Sequence, residues 1–223
     1  SVKIANNLAG KNAGGLYLSK LIQLRLETCY FIRNRAFNVG GMLLDTVQHC
    51  LLTNIVALLN CATYSGGGVN ARNSTLVTIE TSTYVHNRVE IQGGGALTFW
   101  NESHSKLVVI IGTTYFFNNS AQAGGCVFIE NMQYDHIYLN IKNSHFLNNS
   151  AQIYYGGFAY VQGHHIDHVY LNIINVTFKY NKACLQSGVL HLLTTTAMIE
   201  SCRFIANTAG ESTGVIAAGA YSR

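Results

Sequence analysis

The sequence is poor in charge, in acidic residues and in long apolar runs. Charged side chains make up 11% of its 223 residues, against roughly 25% in a typical globular chain, and proline is missing altogether. Lysine and arginine are scattered without a run that would follow a phosphate backbone, which argues against nucleic-acid binding. No apolar stretch reaches the roughly 18 residues needed to cross a bilayer, so no membrane span is expected in this segment.

Paired carboxylates suited to catalysis are also missing. The aspartates are Asp45, Asp135 and Asp167, and the glutamates are dispersed along the chain. Hydrolases and lyases built on parallel β-helices need clustered carboxylates, either for acid and base roles or for calcium. We therefore expect no enzymatic activity and no cofactor.

The cysteines lack the spacing of a metal site, since none forms a CxxC motif. Free cysteine is among the most buried residue types, so small buried apolar side chains are the favoured interpretation. Disulfides, as in a secreted protein, stay open as the alternative. The residues concerned are Cys29, Cys50, Cys61, Cys126, Cys184 and Cys202.

What the sequence does contain is a repeat. An aromatic or aliphatic residue is followed three positions later by asparagine and then, after one variable residue, by a small residue. This block occurs eight times, with 26–32 residues between successive asparagines. The repeated asparagines are Asn7, Asn34, Asn60, Asn87, Asn119, Asn149, Asn181 and Asn207.

The first six repeats also carry a glycine doublet that opens an alternating apolar run, such as Gly14–Gly15 or Gly124–Gly125. In the last two repeats a single glycine remains, Gly188 and Gly214. A third run, rich in β-formers, precedes the next block. Period-two alternation without any helix signal predicts three short strands per repeat.

These features predict an all-β fold, a right-handed parallel β-helix (a solenoid) of about eight coils in a single segment, 1–223. One coil cannot bury its inner face alone, so neighbouring coils must stack, and the asparagines would form a ladder. Right-handed coiling follows from the usual crossover preference. Ser1 lies inside a repeat and Arg223 directly follows one, so the chain is expected to be an excerpt of a longer one.

Two of these motifs resemble a known family. The glycine doublet with apolar alternation, as in Gly14–Leu16, and the Phe-x-x-Asn block, as in Phe146–Asn149, resemble repeats of the chlamydial polymorphic outer membrane proteins. Similar repeats occur in large surface proteins of protists and simple animals. The resemblance covers essentially the whole chain and implies a β-helix that is secreted or on a cell surface, often adhesive or structural. Ala57, Tyr84 and Val89 depart from the pattern.

Five sequons predict N-glycosylation at the cell surface or in a secreted protein. In two of them the acceptor directly precedes a ladder asparagine, so it should point outward if the ladder residue points inward. The candidate acceptors are Asn73, Asn101, Asn118, Asn148 and Asn175.

A repeated segment supplies the one candidate metal site. Asp135-His136 recurs as Asp167-His168, one coil later, so the two pairs are expected to stack. Imidazole together with carboxylate suits zinc, or a pH-sensitive contact. A repeated turn with solvated histidines is the favoured alternative.

Taken together, the sequence predicts an extracellular structural or adhesive rod in a coat, fibre or appendage. Its expected partners are further copies of itself or other surface proteins, with glycans as a third class. The alternative is a carbohydrate-binding or carbohydrate-cleaving β-helix of the pectate-lyase type. Exposed aromatics would serve that alternative, although cross-strand stacking is their favoured interpretation. They include Tyr17, Tyr134, Tyr138, Tyr154, Tyr155 and Tyr170. Coils four to seven are longer, and their loops are where a partner is expected.

Overall fold

The computed structural model describes residues 1–101, 106–131, 136–163, 169–193 and 195–219, and it contains only strands and turns over those ranges. The strands form four parallel sheets, called A to D here, and each sheet takes one strand from every coil. The predicted all-β parallel β-helix is therefore confirmed, with about seven turns: seven complete coils of four strands and an eighth with three. The right-handed direction of coiling stays a prediction.

The strands follow one another in the order A, B, C, D along each coil. Sheet A consists of Val2–Ala5, Cys29–Ile32, Val56–Leu58, Thr83–Val85, Tyr115–Phe117, His145–Leu147, Thr177–Lys179 and Arg203–Ile205. Sheet B consists of Leu8–Ala9, Arg35–Ala36, Cys61–Ala62, Arg88–Val89, Ser120–Ala121, Ser150–Ala151, Lys182–Ala183 and Thr208–Ala209. Sheet C consists of Leu16–Ser19, Met42–Asp45, Val69–Arg72, Leu97–Asn101, Val127–Asn131, Ala159–Gly163, Leu190–Leu193 and Ile216–Gly219. Sheet D consists of Gln23–Glu27, His49–Thr53, Leu76–Glu80, Leu107–Gly112, Ile137–Lys142, Val169–Ile174 and Thr195–Glu200.

The coil has four strands where the sequence predicted three. The additional strand belongs to sheet B, is two residues long, and directly follows the ladder asparagine. Two residues are too few to show period-two alternation, so the pattern gave no sign of this strand.

An aromatic stack fills the core behind sheet A. The ring centroids of Tyr84 and Phe116 are 5.0 Å apart, those of Phe116 and Phe146 are 4.6 Å apart, and those of Phe146 and Phe178 are 5.4 Å apart. Ala57 is the register partner of Tyr84 in the preceding coil. Both residues depart from the motif, yet both keep their place in the column of stacked side chains. Stacked rings at the strand spacing bury apolar area along the whole axis.

The asparagine ladder runs beside this stack. Asn119 Oδ1 accepts hydrogen bonds from Asn87 N at 3.0 Å and from Asn87 Nδ2 at 3.1 Å. Asn119 Nδ2 in turn donates to Tyr84 O and to Asn149 Oδ1, each at 3.0 Å. The same pattern satisfies every fully buried ladder amide, as a buried polar group requires. These fully buried amides belong to Asn34, Asn60, Asn87, Asn119, Asn149 and Asn181.

A column of glycines lies where sheet B turns toward sheet C. A Cβ atom built on Gly125 would lie 2.4 Å from Gly157 O and 2.4 Å from Ser150 C of the next coil. Glycine is therefore required by the close approach of two backbones, since the φ angle of Gly125 is an ordinary one. The column runs through Gly14, Gly40, Gly67, Gly95, Gly125, Gly157, Gly188 and Gly214.

Candidate functional site

Four of the five candidate acceptors lie at corners of the coil. Asn118 and Asn148 have φ angles of 54° and 53°, and each directly precedes a buried ladder asparagine. Asn148 is exposed and Asn118 half-buried, and the amide of Asn148 donates to Asn118 Oδ1. Asn175, also exposed, and Asn73, half-buried, adopt the same left-handed conformation at other corners, which asparagine tolerates better than most residues.

The side chain of Asn101, with the rest of its sequon, lies outside the described residues. The same holds for Asp135, Asp167 and His168 of the candidate metal site. His136 is exposed, and its ring centroid is 5.9 Å from that of Tyr170. Within the described ranges no group of three or more metal-ligating side chains comes together. Glycosylation and metal binding both stay predictions.

All six cysteines are free thiols. Cys29, Cys50 and Cys126 are buried in the core, and burial raises the pKa of the Cys50 thiol to about 12. These three cysteines therefore act as small apolar core residues, as the sequence favoured.

The outer face of sheet C carries the most distinctive set of side chains. In the strand Val127–Asn131, Val127 and Ile129 point into the core, so Phe128 and Glu130 point outward. Phe128 is nevertheless only 3% exposed. The segments that connect sheet B to sheet C fold back over these outward side chains, and the space left between them forms a groove.

We call this space the aromatic groove, and it has a volume of about 390 Å³. It lies between the outward face of sheet C and the connecting segments of coils four to six. Its lining consists of Ile91, Gln92, Gln122, Ala123, Phe128, Glu130, Tyr154, Tyr155, Tyr160 and Gln162.

The rings of the groove form an ordered stack. Phe128 and Tyr160 are register partners in neighbouring coils, with centroids 5.4 Å apart and planes 16° apart. His191 continues the stack at 5.5 Å from Tyr160, with planes 4° apart. Tyr155, from the connecting segment, lies 4.4 Å from His191 and presents its ring beside the stack. Tyr154, 45% exposed, stands at the mouth of the groove.

Amide groups accompany these rings. Tyr160 OH donates to Gln162 Oε1 at 2.6 Å, and Gln92 Nε2 donates to Glu130 Oε2 at 3.5 Å. Gln122 Nε2 donates to the backbone oxygen of Glu90 at 2.8 Å, which fixes its side chain at the groove wall. Among the described residues of the lining, Glu130 alone carries a charge.

A second, smaller space lies on the same face in the preceding coils. We call it the polar cavity; its volume is about 150 Å³, and it is lined by Asn38, Val39, Leu43, Tyr64, Ser65, Asn70, Arg72 and Trp100. Three buried polar atoms of this lining have no hydrogen-bond partner: Asn70 Oδ1, Arg72 Nε and Trp100 Nε1. Buried polar groups are normally paired, so these three atoms are exceptions that cluster around one cavity.

The charge of Arg72 is already neutralised. Its Nη2 lies 2.9 Å from Asp45 Oδ2, and Tyr17 OH donates to the same oxygen at 3.1 Å. The hydrogen bond from Arg72 lowers the pKa of Asp45 below its ordinary value, so Asp45 is ionised at neutral pH. Arg72 thus brings little net charge to the polar cavity.

No family model matches the sequence, and neither the curated proteins nor the solved structures show a significant match to it. None of the described residues belongs to a helix long and apolar enough to cross a membrane. A functional proposal for this chain therefore depends on its fold and on the geometry of its outer face.

Part of this site was predictable from the sequence. Tyr154 and Tyr155 were expected as exposed aromatics, whereas Trp100, Phe128 and Tyr160 were missed. Parallel pairing places Trp100 over Arg72 and Phe128 beside Tyr160, although these residues are far apart in the sequence. The sequence analysis lacked the pairing register of the sheet C strands. Aligning the repeats on their core positions would have supplied that register.

Proposed function

We propose that this chain is an extracellular structural or adhesive rod of a surface coat, fibre or appendage. The observation that carries the proposal is the unbroken asparagine ladder, in which each fully buried amide is hydrogen-bonded to the coils on both sides. Eight coils at the strand spacing give a stiff element about 35–40 Å long. A stiff rod suits a protein that carries load or displays a contact surface at a distance from a cell.

Two further features support an extracellular location. The repeats resemble those of the polymorphic outer membrane proteins and related surface proteins. Four of the five candidate acceptors, Asn73, Asn118, Asn148 and Asn175, stand at corners with at least part of their surface open. Glycans there would also shield a surface that carries few charges. Partners of such a rod would be further copies of it or other surface proteins.

Antibody labelling of intact cells of the source organism tests this function. Labelling without permeabilisation, together with filaments or lattices in images of the native material, is the expected result. The mass of the native protein should also fall on treatment with an N-glycosidase. Labelling that appears only after permeabilisation would contradict the proposal.

Carbohydrate binding is the second candidate function, and the aromatic groove favours it. Ligand sites of this kind combine apolar and aromatic walls with a few placed polar groups. Binding fits the groove better than cleavage does. Hydrolysis by paired carboxylates needs two of them, whereas Glu130 is the one carboxylate in the described lining.

A further inference from the structure

Folding gathers positive charge on one side of the coil stack. The strands of sheets A and B, with the corners before and between them, occupy segments 2–9, 28–36, 54–62, 81–89, 113–121, 143–151, 175–183 and 201–209. We call the outer surface of these segments the basic face. None of the 10 acidic residues of the chain lies in them, whereas seven of its 14 lysines and arginines do. These seven are Lys3, Arg33, Arg35, Arg88, Lys179, Lys182 and Arg203. They are scattered in the sequence, and the coils bring them to one side.

Strand register arranges several of these cations in a row along the axis. In sheet B, Arg35 and Arg88 are two coils apart, and Lys182 lies three coils further on. Five coil spacings separate the first from the last, which is about 24 Å at the usual strand spacing. Ser120 and Ser150 stand in the same row, between Arg88 and Lys182, and add hydroxyl groups to it. A linear ligand that follows this row would meet both cations and hydroxyls.

Most of these cations are available to a ligand. Arg88, Lys182 and Arg203 are exposed, and none of them forms an ion pair with a carboxylate in the described part of the chain. Arg35 does pair with Glu90, at 3.4 Å, but the two side chains are 60% and 36% exposed, so solvent weakens this pair. The basic face therefore keeps a net positive charge. Glu90 directly follows one of its segments, and three other carboxylates directly precede segments, namely Glu27, Glu80 and Glu200.

A polar groove of about 370 Å³ lies on this face, where the corner before sheet A meets that sheet in coils six to eight. His145, Thr177 and Arg203 are register partners along one wall. Asn175 Nδ2 donates to Asn143 Oδ1 at 2.9 Å along the other wall. The described lining contains no carboxylate. An acidic sugar fits such a groove, because a guanidinium binds its acid group while amides and hydroxyls bind its hydroxyl groups.

The density of charge favours an acidic polysaccharide over a nucleic-acid duplex. Double-stranded DNA carries one negative charge per about 1.7 Å of its axis. The basic face offers seven lysines and arginines over eight strands, or one per about 5 Å at the usual strand spacing. An acidic polysaccharide carries an acid group on each sugar or on every second sugar, and its hydroxyls can bind serine and asparagine side chains between those groups. The charges of the face therefore match such a chain better than they match a duplex.

We propose that the basic face binds a linear acidic polysaccharide along the axis of the coil stack. The row of sheet B holds one stretch of the chain, and the polar groove offers a second place for an acid group. This inference goes beyond the rod function, and it uses a different surface from the aromatic groove. Asn118, Asn148 and Asn175 lie in segments of the same face, so an N-glycan on any of them would cover part of it.

Titration of the full chain, produced without N-glycans, tests the proposal. Fluorescence anisotropy follows labelled hexasaccharides of three kinds, namely heparin fragments, oligogalacturonides and neutral manno-oligosaccharides, with single- and double-stranded DNA of similar length for comparison. We expect saturable binding of at least one acidic series, at least about tenfold tighter than that of the neutral series or of DNA. Its affinity should fall about tenfold between about 50 and 200 mM salt, as expected for about three ionic contacts. No binding of either acidic series, equal binding of the neutral series, or equal or tighter binding of DNA overturns the proposal.

Charge-matched variants locate the site. Arg88→Gln combined with Lys182→Gln removes two cations from the row of sheet B and should weaken binding about tenfold, as the loss of two exposed ionic contacts does. Lys20→Gln combined with Arg25→Gln is the control, because it removes the same charge outside the face: Lys20 directly follows a strand of sheet C, and Arg25 lies in sheet D. The control should keep the affinity within about twofold, and equal losses in both variants would contradict the assignment. Arg203→Gln should weaken binding about threefold, and an unchanged affinity would exclude the polar groove from the site.

All five substituted side chains are exposed, so each variant should keep the melting temperature of the unmodified chain. The comparison of ligands uses the unmodified chain, so it decides the proposal even where a variant fails to fold. The rod and the basic face also fail separately. Surface labelling without polysaccharide binding would leave the rod and remove the binding face. Polysaccharide binding by a protein found only inside cells would do the reverse.

Discussion

The asparagine ladder makes a sharp prediction at its centre, for Asn119→Ala. This substitution removes both bonds that Asn119 Oδ1 accepts, from Asn87 N at 3.0 Å and Asn87 Nδ2 at 3.1 Å. It also removes the bonds from Asn119 Nδ2 to Tyr84 O and Asn149 Oδ1. Leaving a buried donor or acceptor without a partner costs about 1–3 kcal/mol. The backbone N–H of Asn87 loses its acceptor entirely and the other groups lose one bond each, so we expect a loss of about 3–5 kcal/mol.

Urea unfolding followed by circular dichroism measures this loss. Asn118→Gly is the matched control, because it removes the neighbouring outward amide and keeps a residue that tolerates the φ angle of 54°. Asn7→Ala is a second control, at an exposed ladder position. Both should change the free energy of unfolding by about 1 kcal/mol or less. If Asn119→Ala were no more destabilising than Asn118→Gly, the ladder would not stabilise the coil stack as described.

Three other predictions concern the core and the outer face. Gly125→Ala should lower the free energy of unfolding by about 1–3 kcal/mol or more, because its Cβ would lie 2.4 Å from Gly157 O. Gly10→Ala is the control: its Cβ would have no atom within 4 Å, so the same urea experiment should show almost no change. Tyr84→Phe should raise the free energy of unfolding by about 1–2 kcal/mol, because the buried Tyr84 hydroxyl has no hydrogen-bond partner; an unchanged or lower value would show that the hydroxyl is satisfied. Burial lowers the pKa of His191 in the folded chain. As pH falls from about 6.5 through that lowered pKa, the unfolded chain therefore binds more protons than the folded chain does, and the free energy of unfolding should decrease. His191→Phe should reduce this pH dependence in melting curves, and an identical dependence in the variant would exclude His191 as its source.

The repeat was sufficient to predict the fold, because the residues that define it are those that stack. The aromatic positions and ladder asparagines found by spacing lie in register through the eight coils, even where Ala57 and Tyr84 depart from the motif. The glycine doublets were less reliable guides. In the first coils the first glycine of the doublet, such as Gly67, occupies the close-packed column, whereas in later coils it is the second, such as Gly95. Aligning the repeats on the doublet therefore shifts them by one position.

Other features were hidden from the sequence for physical reasons. Leu59 and Tyr180 adopt left-handed backbone conformations at corners, with φ angles of 57° and 58°, although neither residue type favours them. Here the paired strands on both sides fix the corner and override local preference. The aromatic groove was hidden for a related reason, since its rings come from different coils and from the segments that fold over sheet C.

The ladder also has a direction. Each side-chain amide donates to the oxygen of the coil that follows it in sequence, as Asn87 does to Asn119 and Asn119 does to Asn149. The dipoles of these amides are therefore aligned, and hydrogen bonds in such a chain polarise and strengthen one another. One end of the ladder therefore presents hydrogen-bond acceptors, and the other end presents hydrogen-bond donors. Any coil that extends the ladder, from this chain or from another molecule, must enter with the same polarity, which favours assemblies whose subunits all point the same way.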